Sequence, residues 1–388
     1  MTSSSSDPIK IGVLFSSSGV TSAIELSQQR ATILAAEEIN DAGGIDGREL
    51  QLVLRDPAST PARYATLIEQ LIVDEQIRVV MGCYMSSTRK AVMPLVERHN
   101  ALLFYPTLYE GFEYSRNVIY TGAAPNQNSL PLADYMLTHF GSRVFMVGSD
   151  YLYPYESNRI MSDLVYERGG EKLAEVYLPL DADWDSYLAV AKRIAAQAPD
   201  FVFSTVVGTG IAHLYRAFAE VGLDPYRTPI GSLTTSETEV AAMDAALGEG
   251  HLTAATYFQS VDNPVNRRCL ANYHRRFGDH HVTDMCWEAA YFQMHVLANA
   301  MRQCGGDDVN ALLNTLPGLE LDAPQGRVRI DEHNHHTYLH PRIGRLDRRG
   351  QFEIVSEASG WTRADPFVIS HSLVEPPGLA SPAAEVQR

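Results

Sequence analysis

Short runs of almost wholly apolar residues alternate with longer stretches of helical periodicity, and this alternation constrains the fold more than any other feature. The first run is Lys10-Ile-Gly-Val-Leu-Phe15. A helical stretch follows from Ser22 to Asn40, with Ile24, Leu26, Ile33, Leu34 and Ile39 on one face, and stops at Gly43-Gly44, a helix C-terminal signal. Runs at Leu50–Leu54, Ile77–Met81 and Leu102–Tyr105 flank helical stretches at Pro61–Asp74 and Ser86–Asn100. The alternation resumes at Val144–Val147, Phe201–Ser204 and Pro229–Leu233. Strand–helix–strand repetition predicts an α/β fold of parallel sheets with helices on both faces. Strands buried on both faces should read as continuous apolar runs, as these do.

The pattern occurs twice. A Gly/Pro/Asn cluster, Thr121-Gly-Ala-Ala-Pro-Asn-Gln-Asn128, separates the two series, and further seams fall at Ser260–Pro264 and Asp331–His336. At 388 residues a chain holds two to three domains of ordinary size. From Val374 onward, Val-Glu-Pro-Pro-Gly-Leu-Ala-Ser-Pro-Ala-Ala has the composition of a tail. The segment Arg342–Arg349 alternates basic and apolar residues as a hairpin would.

Charge and cysteine usage narrow the function. With 31 basic and 47 acidic side chains the net charge is −16, and no basic patch is segregated, so direct nucleic-acid binding is not expected. No apolar run approaches the length of a membrane span. The N-terminal residues lack a basic region, and Ile11–Phe15 is too short for a signal core. The expectation is a cytoplasmic protein. Cys83, Cys269, Cys286 and Cys304 have neither CxxC nor zinc spacing and read as free thiols.

In open parallel sheets, ligands sit outside the carboxyl ends of the strands. Those junctions carry Ser16-Ser-Ser-Gly19, Gly82-Cys-Tyr-Met-Ser-Ser-Thr88, Tyr105-Pro-Thr107, Gly148-Ser-Asp-Tyr151 with Tyr153, Val206-Val-Gly-Thr209 and Thr234-Thr-Ser-Glu237. They are rich in hydroxyls and poor in charge. Helix capping explains single Ser and Thr residues, and Ser236-x-x-Glu239 has the form of a capping box. Tyr84, Tyr105, Tyr109, Tyr151 and Tyr153 together suggest an aromatic-walled cleft. Neither GxGxxG nor GxxxxGK[ST] follows a strand, so no nucleotide cofactor is implied. The profile suits a small neutral molecule held by hydroxyls and backbone groups. An amidase built on Cys83, Lys90 and Glu110 is the enzymatic alternative, but nothing in the sequence orders them as a triad, and no activity is expected. His280-His281 and His333-Asn-His-His336 read as solvated loop histidines rather than metal ligands.

Gly82-Cys-Tyr-Met-Ser-Ser-Thr-Arg-Lys-Ala-Val-Met-Pro94, Tyr105-Pro-Thr, Tyr109-Glu-Gly-Phe-Glu-Tyr-Ser115, Ala124-Pro-Asn-Gln-Asn-Ser129, Gly148-Ser-Asp-Tyr151, Phe203-Ser-Thr-Val-Val-Gly-Thr-Gly210 and Ser232-Leu-Thr-Thr-Ser-Glu237 resemble the amide sensors that negatively regulate aliphatic-amidase operons. The likeness runs from about residue 9 to residue 370 and departs at Ser17-Ser18 and Ser87. It implies a type I periplasmic-binding-protein fold: two Rossmann-like lobes joined by three crossovers, matching the three seams. The implied division is residues 1–122 plus 258–333, residues 123–257 plus 334–373, and a flexible tail at 374–388. By residue match the ligand contacts would be Tyr84, Ser86, Tyr105 and Thr107 from the first lobe, and Tyr151, Val207 and Thr234 from the second. The resemblance implies a small aliphatic amide or urea as ligand, no cofactor or metal, and release of an RNA-binding antiterminator when the cleft closes. It also implies kinship with leucine- and urea-binding components of ABC transporters, which is the alternative function. Oligomeric state, a homodimer included, is left open.

Overall fold

The computed structural model describes residues 7–367; the expected tail at 374–388 lies outside them. Five strands, β1 (Ile9–Leu14), β2 (Leu50–Arg55), β3 (Val79–Gly82), β4 (Leu102–Tyr105) and β5 (Val118–Tyr120), form one sheet in the order β2-β1-β3-β4-β5. Every pairing in it is parallel. Helices α1 (Ser22–Asp41), α2 (Pro61–Glu69) and α3 (Ser86–Arg98) connect these strands. The helical stretch expected to reach Asp74 leaves α geometry after Glu69 and finishes as a wider π turn, Gln70–Asp74.

The second series supplies α4 (Ser129–His139), β6 (Arg143–Ser149), α5 (Leu152–Glu167), β7 (Glu171–Leu178), α6 (Trp184–Gln197), β8 (Phe201–Thr205), α7 (Gly210–Glu220), β9 (Ile230–Ser232), α8 (Glu237–Ala241) and β10 (Leu252–Ala255). The chain then returns through α9 (Pro264–Phe277) and α10 (Met285–Cys304), both packed on α1, and α11 (Val309–Thr315). Strands β11 (Glu320–Ala323), β12 (Gly326–Ile330) and β13 (Thr337–Tyr338) make a small antiparallel sheet. Finally β14 (Arg342–Leu346) and β15 (Phe352–Glu357) complete the second sheet, in the order β15-β14-β10-β9-β8-β6-β7. They pair antiparallel there, and Asp347 closes their turn by accepting from the Arg349 and Gln351 amides. The hairpin read from the sequence is this pair. The chain thus passes three times between two parallel-sheet lobes.

Burial follows position in the sheets. Strands β3, β4 and β8 are buried at every residue. The edge strands β2, β7 and β15 keep one side wet, so their sequences mix Lys, Glu, Gln and Arg with apolar residues. Helix α10 is buried almost all round, wedged against α1, and its apolar residues lack the one-sided stripe of a surface helix.

Two close approaches shape the strand ends. Cys83 sits at φ +70° between β3 and α3, its amide donating to the Leu14 carbonyl at 3.0 Å. A left-handed conformation is costly for a non-glycine residue and occurs where the surroundings dictate it. Gly122 lies against the Thr107 backbone so closely that a Cβ there would stand 1.9 Å from the Thr107 carbonyl oxygen.

Candidate functional site

The carboxyl ends of β3, β4, β6 and β9 converge on one small cavity. It is lined by Tyr84 and Ser86 after β3, Thr107 and Leu108 after β4, Tyr151 and Tyr153 after β6, and Thr234 after β9. Its volume is about 10 Å³, on the scale of a single water-sized centre. No lining residue is charged.

Five of the seven residues singled out by sequence, Tyr84, Ser86, Thr107, Tyr151 and Thr234, line this cavity. Tyr105 and Val207 do not. Tyr105 lies behind the wall, its hydroxyl donating to the Tyr84 carbonyl at 2.7 Å. The Val207 amide is taken by Ser149 Oγ at 3.1 Å. Sequence reasoning placed Tyr153 at the right strand end without selecting it, and missed Leu108, whose side chain gives no chemical signal. Ser17 and Ser18 bind Asp56 instead of facing the cavity.

The hydroxyls have defined directions. Ser86 opens α3 but caps nothing: its Oγ–H donates to Glu110 Oε2 at 2.6 Å. Thr234 donates to the Val206 carbonyl at 2.6 Å. Thr107 Oγ1 lies 3.5 Å from Cys286 Sγ. Among the described residues no atom completes a well-formed hydrogen bond with the Tyr153 hydroxyl, although Ser157 is close enough to moderate its acidity. Burial pushes the Tyr84, Tyr151 and Tyr153 phenols far up, so they stay neutral and able to donate.

Behind Ser86 stands a buried charge network. Arg89 reaches Glu110 Oε1 at 2.7 Å and Glu113 Oε1 at 2.7 Å, and Lys90 reaches Glu113 Oε2 at 2.6 Å. The guanidinium lies 4.8 Å from the ring centroid of Tyr105 and 5.2 Å from that of Tyr109. The expected tyrosine-walled cleft therefore divides. Tyr84, Tyr151 and Tyr153 face the cavity, whereas Tyr105 and Tyr109 hold Arg89.

The amidase grouping does not assemble. Glu110 is committed to Ser86 and Arg89, and Lys90 to Glu113. Burial beside Glu25 drives the Cys83 thiol far up, away from the thiolate that nucleophilic attack needs. The solvated-loop reading is wrong for His335 and His336. Both are buried, and His336 stacks on Tyr120 at 4.2 Å, where desolvation lowers its pKa to about 3. Among the described residues no cluster of three or more His, Cys, Asp or Glu could hold a metal, and no helix is long and apolar enough to cross a membrane.

Known proteins bear on this arrangement. The family model described as a periplasmic binding protein domain matches residues 9–373. The Leu/Ile/Val-binding protein homolog 6 of Brucella suis is 25% identical over 342 residues, covering 85% of each chain. The leucine-, isoleucine-, valine-, threonine-, and alanine-binding protein of Pseudomonas aeruginosa is 22% identical over 334 residues, covering 85% of this chain and 87% of that one. A solute-binding protein of an ABC transporter from Rhodopseudomonas palustris, solved with 3,4-dihydroxybenzoic acid, superimposes with a TM-score of 0.83 at 19% identity, over 92% of this chain and 99% of that one. With two parallel-sheet lobes, strand ends meeting at one cavity and a family match spanning nearly the whole sequence, the chain belongs to the periplasmic binding protein domain family, in its type I fold.

Proposed function

We propose that this chain is a solute-binding protein that captures a small neutral amide, of acetamide or urea size, between its lobes. The observation that carries this reading is the cavity lining: six hydroxyl-bearing side chains besides Leu108, drawn from strand ends of both lobes, with no charge among them. The similar proteins named above carry amino-acid or benzoate ligands in their descriptions. Such ligands bring a carboxylate, and this cavity offers it no cationic side chain. Arg89, the cation behind the wall, is already paired with two glutamates. An aliphatic amide instead offers N–H donors and one carbonyl acceptor, which suits acceptor oxygens on Ser86 and Thr234 and a donor on Tyr153. Contacts from both lobes favour the closed arrangement by differential affinity. The likeness to solute-binding proteins supports delivery to an ABC transporter as the downstream role.

Calorimetric titration against acetamide, propionamide, butyramide, urea, leucine and benzoate tests the ligand class. Binding of acetamide or urea without leucine or benzoate is expected; binding of leucine or benzoate alone would refute it. No hydrolysis belongs to this reading, and ammonia release from acetamide would count against it.

A second reading keeps the ligand and changes the output: a cytoplasmic sensor whose closure releases an RNA-binding antiterminator. It is favoured by four free cysteines, three of them buried, as suits a reducing compartment, and by the motif resemblance at the strand ends. A net charge of −16 offers a docking field for a basic partner. Linkage demands that a bound antiterminator weaken amide affinity by the factor with which amide weakens the complex. Equal amide affinities with and without the partner would exclude this output.

A further inference from the structure

Glu110 lines none of the amide cavity, yet it controls one of its walls. We propose that Glu110 is a positioning residue that fixes Ser86 as a hydrogen-bond acceptor and thereby selects ligands bearing an N–H group; this rests on the amide reading above. A serine hydroxyl can donate or accept, and alone it would suit an amide nitrogen and a carbonyl oxygen equally. Here the choice is removed. The Ser86 proton points to Glu110 Oε2 at 2.6 Å, with Ser86 only 1% exposed. Glu110 cannot return the favour, because Arg89 donates to Oε1 at 2.7 Å and to Oε2 at 3.3 Å. Both carboxylate oxygens are therefore acceptors with no proton to give.

Arg89 is itself immobilised. It is wholly buried, bonded through Nε to Glu113 at 2.7 Å and enclosed by Tyr105 and Tyr109. Its orientation, and with it that of Glu110, is set by packing rather than by solvent. The chain Arg89–Glu110–Ser86 transmits a fixed polarity from the core to the cavity surface, where only the lone pairs of Ser86 remain. Thr234 across the cavity is oriented alike by the Val206 carbonyl. A group presenting lone pairs to Ser86, such as a ketone or a carboxylate oxygen, meets another acceptor and is rejected. Rejection built on an unpaired buried polar group is stronger than rejection by size alone.

Glu110→Gln reverses the polarity. Its amide oxygen is retained by Arg89, and its NH₂ then donates to Ser86 Oγ, turning the hydroxyl proton into the cavity. The test is a double-mutant cycle in the full chain, with acetamide and its isostere acetone titrated against native protein, Glu110→Gln, Ser86→Ala and the double variant. Native protein should bind acetamide at least tenfold more tightly than acetone. Glu110→Gln should lose at least tenfold for acetamide and compress that ratio, whereas in the Ser86→Ala background the same change should cost less than twofold. Equal losses in both backgrounds would show that Glu110 acts through the fold and not through Ser86, and would overturn the proposal, as would an unchanged acetamide affinity. Glu110→Asp runs the same cycle should Glu110→Gln fail to fold. It keeps the charge facing Arg89 but withdraws the oxygen by one methylene, and it must show the same dependence on Ser86. Native protein that binds neither acetamide nor urea would refute the amide reading itself, and the selecting role of Glu110 with it.

Discussion

Replacing Tyr153 by Phe should separate ligand binding from folding. The side chain is 4% exposed, lines the cavity, and its hydroxyl has no well-formed partner among the described residues. Removing that oxygen deletes no strong intramolecular hydrogen bond, so the unfolding free energy without ligand should hold or rise. A buried unpaired hydroxyl opposes folding by about 1–3 kcal/mol, and the ligand carbonyl left without its donor suffers a loss of about the same size. That corresponds to roughly five- to 150-fold in Kd. Linkage gives a second readout. Amide at about 100 times the native Kd stabilises the folded chain by about 2.7 kcal/mol, and a variant binding tenfold more weakly keeps only about 1.4 kcal/mol at the same concentration. Calorimetric titration and thermal unfolding, with and without acetamide, measure both quantities. An unchanged Kd, or a stability loss above about 1 kcal/mol without ligand, would show that the hydroxyl serves the fold and not the ligand.

Four further outcomes are expected. Acetamide has four heavy atoms, and a ceiling of about −1.5 kcal/mol per heavy atom limits its Kd to about tens of micromolar or weaker; nanomolar binding in calorimetry would contradict the assignment. Gly122→Ala should push Thr107 out of the cavity wall, since the new Cβ would stand 1.9 Å from the Thr107 carbonyl oxygen; circular dichroism and titration should show a folded chain, destabilised by about 1–3 kcal/mol, with impaired amide binding. Burial raises Glu237, Glu239 and Glu288 to about 8 each, whereas unfolded glutamates titrate near about 4.3. The folded chain therefore holds protons that the unfolded chain releases, and stability falls as pH climbs from about 4.3 through about 8. Glu239→Gln preserves the capping box with Ser236 and should flatten the pH dependence of thermal unfolding by up to about one proton; an unchanged slope would sink the assignment. Small-angle scattering should show a more compact chain at saturating amide, and an unchanged profile would mean a rigid pocket.

The strands that position the cavity were the most legible part of the sequence. Leu102–Tyr105 in β4 and Phe201–Phe203 within β8 are unbroken apolar runs because helices cover both faces of a parallel strand. Edge position erased the same signal elsewhere. The β7 sequence, Glu-Lys-Leu-Ala-Glu-Val-Tyr-Leu, keeps charges on its open side and reads as neither a buried strand nor a helix. Helix α10 hides its period for the opposite cause: wedged against α1 and buried nearly all round, it spreads apolar residues over every face.

At the cavity, legibility stopped where side-chain direction begins. A serine or tyrosine at a strand end can be located by period and junction, which sufficed to bring Tyr84, Ser86, Thr107, Tyr151 and Thr234 to one cavity. Whether it faces in or back depends on partners distant in sequence. Tyr105 and Tyr153 occupy similar junctions, yet the first gives its proton to the Tyr84 carbonyl and shelters Arg89, while the second keeps its hydroxyl at the cavity wall with no well-formed partner among the described residues. Ser86 shows the same limit in sharper form. At the start of α3 it looks like a cap, and only a glutamate 24 residues further along the chain takes its proton. The polarity of the site is thus written in a buried Arg–Glu pair that no sequence signal joins, 21 residues apart. Fully buried charges persist where they are paired. Hydrophobic replacement of both Arg89 and Glu110 would leave Glu113 only the Lys90 ion pair of its two and Ser86 free to donate or accept, and the cavity without a preference between an amide nitrogen and a carbonyl oxygen.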